Sequence, residues 1–230
     1  MEAKVFVLGL PGSGKSVATQ HISMVARDRN CRVSTFNDYD ILRSKFELAP
    51  DGPQFSRAAN NGFDVHDYTV LDTSLRELEQ QVFQKESTSD KEITVIEFAR
   101  NNYIHALQQF SASILQDAYI LFIDAENDIC KERTRKRNIN PSSSDDHYVS
   151  DYIFEAYYNK GREYCVAARL NELRDSNDVP YNVDARKIAV VDNRETTSIE
   201  AFYENIERIT VLITNQQSIA AEPIDVVHDK

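Results

Sequence analysis

The sequence predicts an α/β protein: a doubly wound, mostly parallel five-stranded sheet flanked by helices, with a helical lid region. Three observations carry this prediction. Five short segments, Lys4–Leu8, Arg32–Phe36, Ile93–Ile96, Tyr119–Ile123 and Lys187–Val191, have the length and the β-branched or aromatic content of strands. Between them lie stretches whose apolar residues recur at helical spacing. The first strand also runs directly into Gly9-Leu10-Pro11-Gly12-Ser13-Gly14-Lys15-Ser16, a glycine-rich turn that opens a helix. Strands alternating with helices imply parallel pairing, because each return to the same edge needs a crossover.

In order, the helix from Ser16 to Arg29 carries Val17, Ile22, Val25 and Ala26 as its apolar positions. The second strand ends at Asn37-Asp38-Tyr39-Asp40-Ile41-Leu42-Arg43, where a helix beginning near Tyr39 would be capped by Asp38. Residues 49–67 are punctuated by Pro50, Gly52, Pro53 and Gly62, so they read as an acceptor-side loop or insertion carrying Phe55, Arg57, Phe63 and His66. Asp72 or Thr73 caps a third helix with Leu75, Leu78, Val82 and Phe83 inside. The third strand ends at Glu97-Phe98-Ala99-Arg100, and a helix from about Tyr103 places Ile104, Leu107, Phe110 and Ile114 on one face. After the fourth strand a helix from near Glu126 turns basic, with Lys131, Arg133, Arg135, Lys136 and Arg137 against one acid, Glu132. A Ser/Asp-rich loop follows, then an aromatic-rich helical stretch over 148–174 and a closing helix over Ile199–Ile213. Residues 1–214 thus form one domain, with 131–174 its lid and helical region and 215–230 a loose tail.

Composition narrows the function. At 230 residues, 41% apolar and 27% charged, the chain is long enough for one substantial core. No apolar run approaches the ~20 residues of a membrane span, and the N-terminus lacks a signal-peptide layout. Cys31, Cys130 and Cys165 are odd in number without metal-ligand spacing, so core thiols in a reducing cytoplasm are expected. His147 has no second His or Cys nearby to complete a metal site. A net charge of −11 disfavours extensive nucleic-acid binding.

The motif carries the chemistry. Gly9 to Ser16 fits G-x-x-x-x-G-K-[ST], the phosphate-binding loop of P-loop NTPases, with the strand before it and the helix after it that the pattern requires. Gly9, Pro11, Gly12, Ser13, Gly14, Lys15, Ser16 and Val17 are the candidate nucleotide-binding residues. Glycines let successive N–H groups converge on phosphate oxygens, and the helix N-terminus adds its dipole. Lys15 would reach the β- and γ-phosphates of ATP, and the Ser16 hydroxyl would bind Mg²⁺.

Beyond the loop, Asp38-x-Asp40-x-x-Arg43 resembles the acceptor site of small P-loop kinases, among them adenylylsulfate kinases, polynucleotide 5′-kinases and zeta-toxin-type kinases. That resemblance implies an Asp that orients or deprotonates an acceptor hydroxyl, with Asp40 preferred and Asp38 second, and an Arg, here Arg43, that holds the acceptor. It also implies that the basic helix begins a kinase lid, with Arg133 and Arg137 four apart on one face and Asp145, Asp146 and His147 as a latch. Glu97 stands where such enzymes commonly carry an Asp, so its part in metal or acceptor binding stays open; Arg100 either binds a phosphate or pairs with Glu97. The expected function is ATP·Mg²⁺-dependent phosphate transfer to a hydroxyl on a small molecule, nucleotide or nucleic-acid end. The alternatives are a nucleotide-dependent switch or regulatory ATPase, or a non-catalytic ATP-binding protein.

Overall fold

The computed structural model describes residues 2–59, 62–85, 91–139, 149–158 and 183–219. The five expected strands form one parallel sheet: β1 (Glu2–Leu8), β2 (Arg32–Asn37), β5 (Glu92–Phe98), β6 (Tyr119–Asp124) and β7 (Ile188–Asp192), in the order β2-β5-β1-β6-β7. Strands β3 (Phe55–Arg57) and β4 (Phe63–Val65) make a separate antiparallel hairpin. The helices are α1 (Lys15–Asp28), α2 (Asp38–Leu48), α3 (Thr69–Gln84), α4 (Tyr103–Leu107), α5 (Ala112–Leu115), α6 (Asn127–Ile139), the short α7 (Asp151–Ile153) and α8 (Ile199–Thr214). A π-helical turn, Phe154–Tyr158, continues α7.

Strand geometry sends alternate side chains to opposite faces, and each face buries its own core. Phe6 and Leu8 of β1 join Ile96, Phe98, Ile120 and Phe122 beneath Leu75 and Leu78 of α3, Leu107 of α4 and Ile114 of α5. On the other face, Val5 and Val7 meet Val95, Leu121 and Ile123 under Ala18 and Ile22 of α1 and Phe202, Ile206 and Ile209 of α8. Covered on both sides, the central strands β1, β5 and β6 are mostly apolar, with buried polar exceptions that include Thr94 and Glu97 of β5. The register pairs Leu8 with Phe98 and Asn37 with Glu97, so β1, β2 and β5 end level with one another. The loops leaving those ends share one crevice, where ligands bind in open α/β sheets.

Four sequence expectations are corrected. The single helix from Tyr103 is two, α4 and α5, because the backbone N–H and hydroxyl of Ser111 both donate to Glu79 Oε1 and draw that residue into an extended conformation. Leu107, Phe110 and Ile114 still pack together, which is why their spacing imitated one helix. α3 begins at Thr69, with the Asp67 side chain accepting from its N–H, so Asp72 and Thr73 are helix-interior residues. The insertion at 49–67 holds a hairpin whose Phe55 and Phe63 pack on Phe46 of α2. Part of the expected tail is packed: Ile219 is buried in the core beside α8, and its N–H donates to Arg186 O, whereas residues 220–230 lie outside the described residues. Cys31 and Cys130 are buried free thiols, whereas Cys165, the latch residues Asp145, Asp146 and His147, and most of the 148–174 stretch lie outside the described residues. Among the described residues, no helix is long and apolar enough to cross a membrane.

Candidate active site

The phosphate side of the site is built by the turn between β1 and α1. Gly12 and Gly14 take φ of +82° and +103°, the left-handed region that favours glycine. A Cβ at Gly12 would lie 2.3 Å from the Cys130 carbonyl oxygen, and one at Gly14 would lie 2.5 Å from Asn193 Nδ2. The loop is therefore clamped by α6 on one flank and by the segment after β7 on the other. Asn193 secures the second contact by donating to Ser13 O at 2.6 Å. The N-terminus of the 14-residue α1 opens at this turn, adding the partial positive charge of its unpaired N–H groups.

Lys15 is buried and donates to Leu10 O at 2.8 Å. Burial pulls its ammonium below the ordinary lysine range, opposed chiefly by the nearby Glu97 carboxylate; Arg137 adds to the lowering. Glu97, at the end of β5, accepts from Ser16 Oγ at 2.9 Å and from Thr19 Oγ1 at 3.0 Å. A hydroxyl and a carboxylate held together beside a phosphate loop are the hard oxygen donors that suit Mg²⁺, which takes one or two protein ligands and leaves the rest to phosphate and water. Among the described residues no group of three or more His, Cys, Asp and Glu could hold a metal, so such an ion would depend on the bound phosphates.

The opposite wall starts at α2. Asn37 caps that helix, its Oδ1 accepting from Tyr39 N at 2.8 Å, which frees Asp38 from the capping role. Asp38 instead pairs with Arg100, Oδ2 to Nη2 at 2.6 Å, with both side chains at most 6% exposed. Arg100 also donates to Ala99 O at 2.6 Å and Leu71 O at 2.8 Å, tying β5 to α2 and α3. Burial is the largest influence and opposes the Arg100 charge, but the Asp38 carboxylate together with Tyr157 and Tyr158 holds the guanidinium above its usual range. Both walls line one cavity of about 550 Å³, with Lys15, Ser16 and Glu97 on one side and Asp38 and Arg100 on the other.

α6 brings its basic residues to the same cavity. Arg133, Lys136 and Arg137 line it, and Arg133 approaches Asn193 O at 3.4 Å. Lys131 and Arg135 point elsewhere, pairing with Glu155 and Asp151.

No protein-family model matches the chain, and no curated protein matches it. Among solved structures, Kti12 from Chaetomium thermophilum in complex with ADP-AlF3 is similar, with a TM-score of 0.51, 15% identity, and coverage of 91% of this chain and 98% of that one. The chain shares that protein's fold, an α/β fold in which a parallel sheet opens onto a glycine-rich phosphate loop. Shikimate kinase from Acinetobacter baumannii in complex with shikimate aligns at a TM-score of 0.46 with 13% identity, covering 94% and 95% of the two chains.

Within this fold the sequence-predicted residues separate into two groups. Pro11, Gly12, Gly14, Lys15, Ser16, Val17, Asp38, Glu97, Arg100, Arg133 and Arg137 line the cavity, and Gly9 and Ser13 complete the turn. Asp40 and Arg43 do not line it. A helix turns about 100° per residue, so Asp40 lies some 200° from Asp38 and faces away. Arg43 shares that outer face and pairs with Glu47 at 2.9 Å. The Asp40–Arg43 spacing is thus that of a solvated helix face, and of the two acids it is Asp38, the second choice from sequence, that lines the cavity. Arg100 pairs with Asp38, a partner the sequence reading did not consider. Val17, assigned to the apolar face of α1, is exposed toward the cavity. Sequence reasoning also missed Asn193; its place just after the last parallel strand was the available signal, since such strand ends open on the crevice.

Proposed function

We propose that this chain is an ATP- and Mg²⁺-dependent phosphotransferase that moves the γ-phosphate to a hydroxyl. The observation that carries the reading is the single cavity with Lys15, Ser16 and Glu97 on one side and a buried carboxylate, Asp38, on the other. Kti12, of like fold, was obtained with ADP-AlF3, which supports taking the glycine turn as a nucleotide site.

Phosphoryl transfer needs positioning and charge neutralisation more than covalent help from the protein. Lys15, Arg133 and Arg137 supply positive charge on the phosphate side. Bound Mg²⁺ would neutralise the phosphate oxygens, and Ser16 and Glu97 are the residues to hold it. Asp38 receives the acceptor hydroxyl: the oxygen attacks the γ-phosphorus, its proton passes to the carboxylate, and ADP departs. Arg100 fixes the Asp38 rotamer and leaves one carboxylate oxygen, Oδ1, for that role.

A general base of this kind contributes roughly 10²–10⁴-fold in rate. Asp38→Asn is therefore expected to lower acceptor-dependent turnover by about that factor, with nucleotide affinity unchanged. Asp40→Asn should leave both intact. Loss of transfer in Asp40→Asn but not in Asp38→Asn would overturn the assignment.

One observation favours a second reading, a nucleotide-dependent switch. Asp38 is already engaged by Arg100 with both side chains almost fully buried, so an acceptor hydroxyl would have to share that carboxylate with the guanidinium. In that case ATP turnover would be independent of every hydroxyl compound added and unaffected by Asp38→Asn.

A further inference from the structure

Asn193 is a junction of three parts of the nucleotide site. It directly follows β7, and its N–H donates to Asp124 O at the end of β6 at 2.7 Å, so its main chain is fixed by the sheet. From that base the side-chain amide donates to Ser13 O of the phosphate loop at 2.6 Å. The carbonyl of the same residue accepts from Nη1 and Nη2 of Arg133 on α6, each at 3.4 Å. Asn193, Arg133 and Gly14 all line the cavity. The first contact is short and the second long against the usual span of about 2.7–3.2 Å for an N–H···O bond. The loop is thus held firmly and the guanidinium loosely, with N–H donors left over for a phosphate.

The loop needs that restraint. Gly14 takes φ of +103° and has no Cβ, so its peptide rotates at little steric cost. Among the described residues the Ser13 hydroxyl has no hydrogen-bond partner, so it does not anchor the turn either. A trans peptide sets its C=O and N–H in opposite directions. Holding Ser13 O against Asn193 therefore turns the Gly14 N–H, at the start of α1, away from Asn193 and fixes it there. We propose that Asn193 is a positioning residue of the nucleotide site, its amide setting the direction of the Gly14 N–H and its carbonyl holding Arg133 ready for the same phosphate. Arg133 then contributes fully only when the loop puts the phosphate within its reach. The proposal rests on the nucleotide-binding part of the reading above, not on transfer to an acceptor.

The test is equilibrium binding by calorimetry on the full chain with Mg²⁺, using ADP and a non-hydrolysable ATP analogue as probes. Asn193→Ala removes the amide and leaves the main-chain contacts in place. Both nucleotides should bind at least tenfold more weakly, while Tm falls by only about 2–4 °C, the loss of one hydrogen bond. A coupling readout separates positioning from mere support of the fold. Arg133→Met should weaken binding of the ATP analogue at least tenfold in the unaltered chain but less than threefold in Asn193→Ala, because a displaced phosphate is out of the guanidinium's reach. Unaltered affinity for both nucleotides in Asn193→Ala would overturn the proposal. So would an equal fold-loss from Arg133→Met in the two backgrounds. If Asn193→Ala does not fold, Asn193→Ser, whose hydroxyl is too short to reach Ser13 O, takes its place in the same cycle. The expected binding pattern without phosphate transfer would leave this inference standing and remove the phosphotransferase reading; transfer, with nucleotide affinity indifferent to Asn193→Ala, would do the reverse.

Discussion

Arg100→Met is the perturbation whose cost follows most directly from the geometry. The side chains of Arg100 and Asp38 are 4% and 6% exposed, so neither charge can recover its hydration when the other is removed. Breaking a buried pair from one side typically costs about 3–5 kcal/mol. Arg100→Met also strands the Ala99 and Leu71 carbonyls, which accept from the guanidinium at 2.6 and 2.8 Å, and an unmet buried acceptor costs about 1–3 kcal/mol. The total should therefore sit at or above 4 kcal/mol, roughly 8–16 °C in Tm at ~2–4 °C per kcal/mol for a domain of this size. Asp38→Asn removes charge but keeps shape and acceptor capacity, so it should cost less. The double variant should be more stable than the sum of the singles predicts by about 2–3 kcal/mol, because the stranded charge is gone. Urea titration of the four proteins of this cycle reads the coupling. Additivity within about 0.5 kcal/mol would refute a coupled buried pair.

Three further outcomes follow from the phosphate side. Gly12→Ala places a methyl group against the Cys130 carbonyl oxygen, which is backbone and cannot rotate away, at a φ of +82°; nucleotide affinity measured by calorimetry should fall at least tenfold. Glu97→Gln keeps the hydrogen bond from Ser16 but removes the charge beside it; the Mg²⁺ concentration for half-maximal ATP turnover should rise, and unchanged Mg²⁺ dependence would remove Glu97 from the metal role. Lys15 has its folded-state proton affinity lowered by burial, below the ordinary 10.5. Between the folded value and 10.5 the unfolded chain holds more protons, so this group makes stability rise with pH. Urea midpoints measured from pH 8 to 10.5 should rise less in Lys15→Met than in the unaltered protein.

What the sequence conveyed, and what it concealed, has a physical pattern. The central strands β1, β5 and β6 are buried on both faces and read as short, mostly apolar runs, whereas the partly exposed edge strands β2 and β7 were legible from their β-branched and aromatic residues and their alternation with helices. The phosphate loop was legible because its backbone needs glycine at fixed positions, a constraint written residue by residue. The acceptor wall was less so. Asp38 and Asp40 are two residues apart, and only the start of α2 at Asp38, with Asn37 as its cap, decides which one faces the cavity. The Asp38–Arg100 pair and the contact of Asn193 with Ser13 join segments 62 and 180 residues apart, and local spacing carries no trace of either. The break at Ser111 depends on Glu79 in α3, again a long-range partner. Local rules read local constraints; the acceptor side is assembled from distant ones.

The measurement that most directly tests the central claim follows the γ-phosphate of isotopically labelled ATP in the presence of Mg²⁺ and a panel of hydroxyl compounds that includes nucleosides. Partition can be read by phosphorus NMR or mass spectrometry. The phosphotransferase account predicts label in a phosphate ester of one acceptor class, abolished in Lys15→Met and strongly reduced in Asp38→Asn. Label recovered only as inorganic phosphate, at a rate indifferent to every acceptor and to Asp38→Asn, would contradict it.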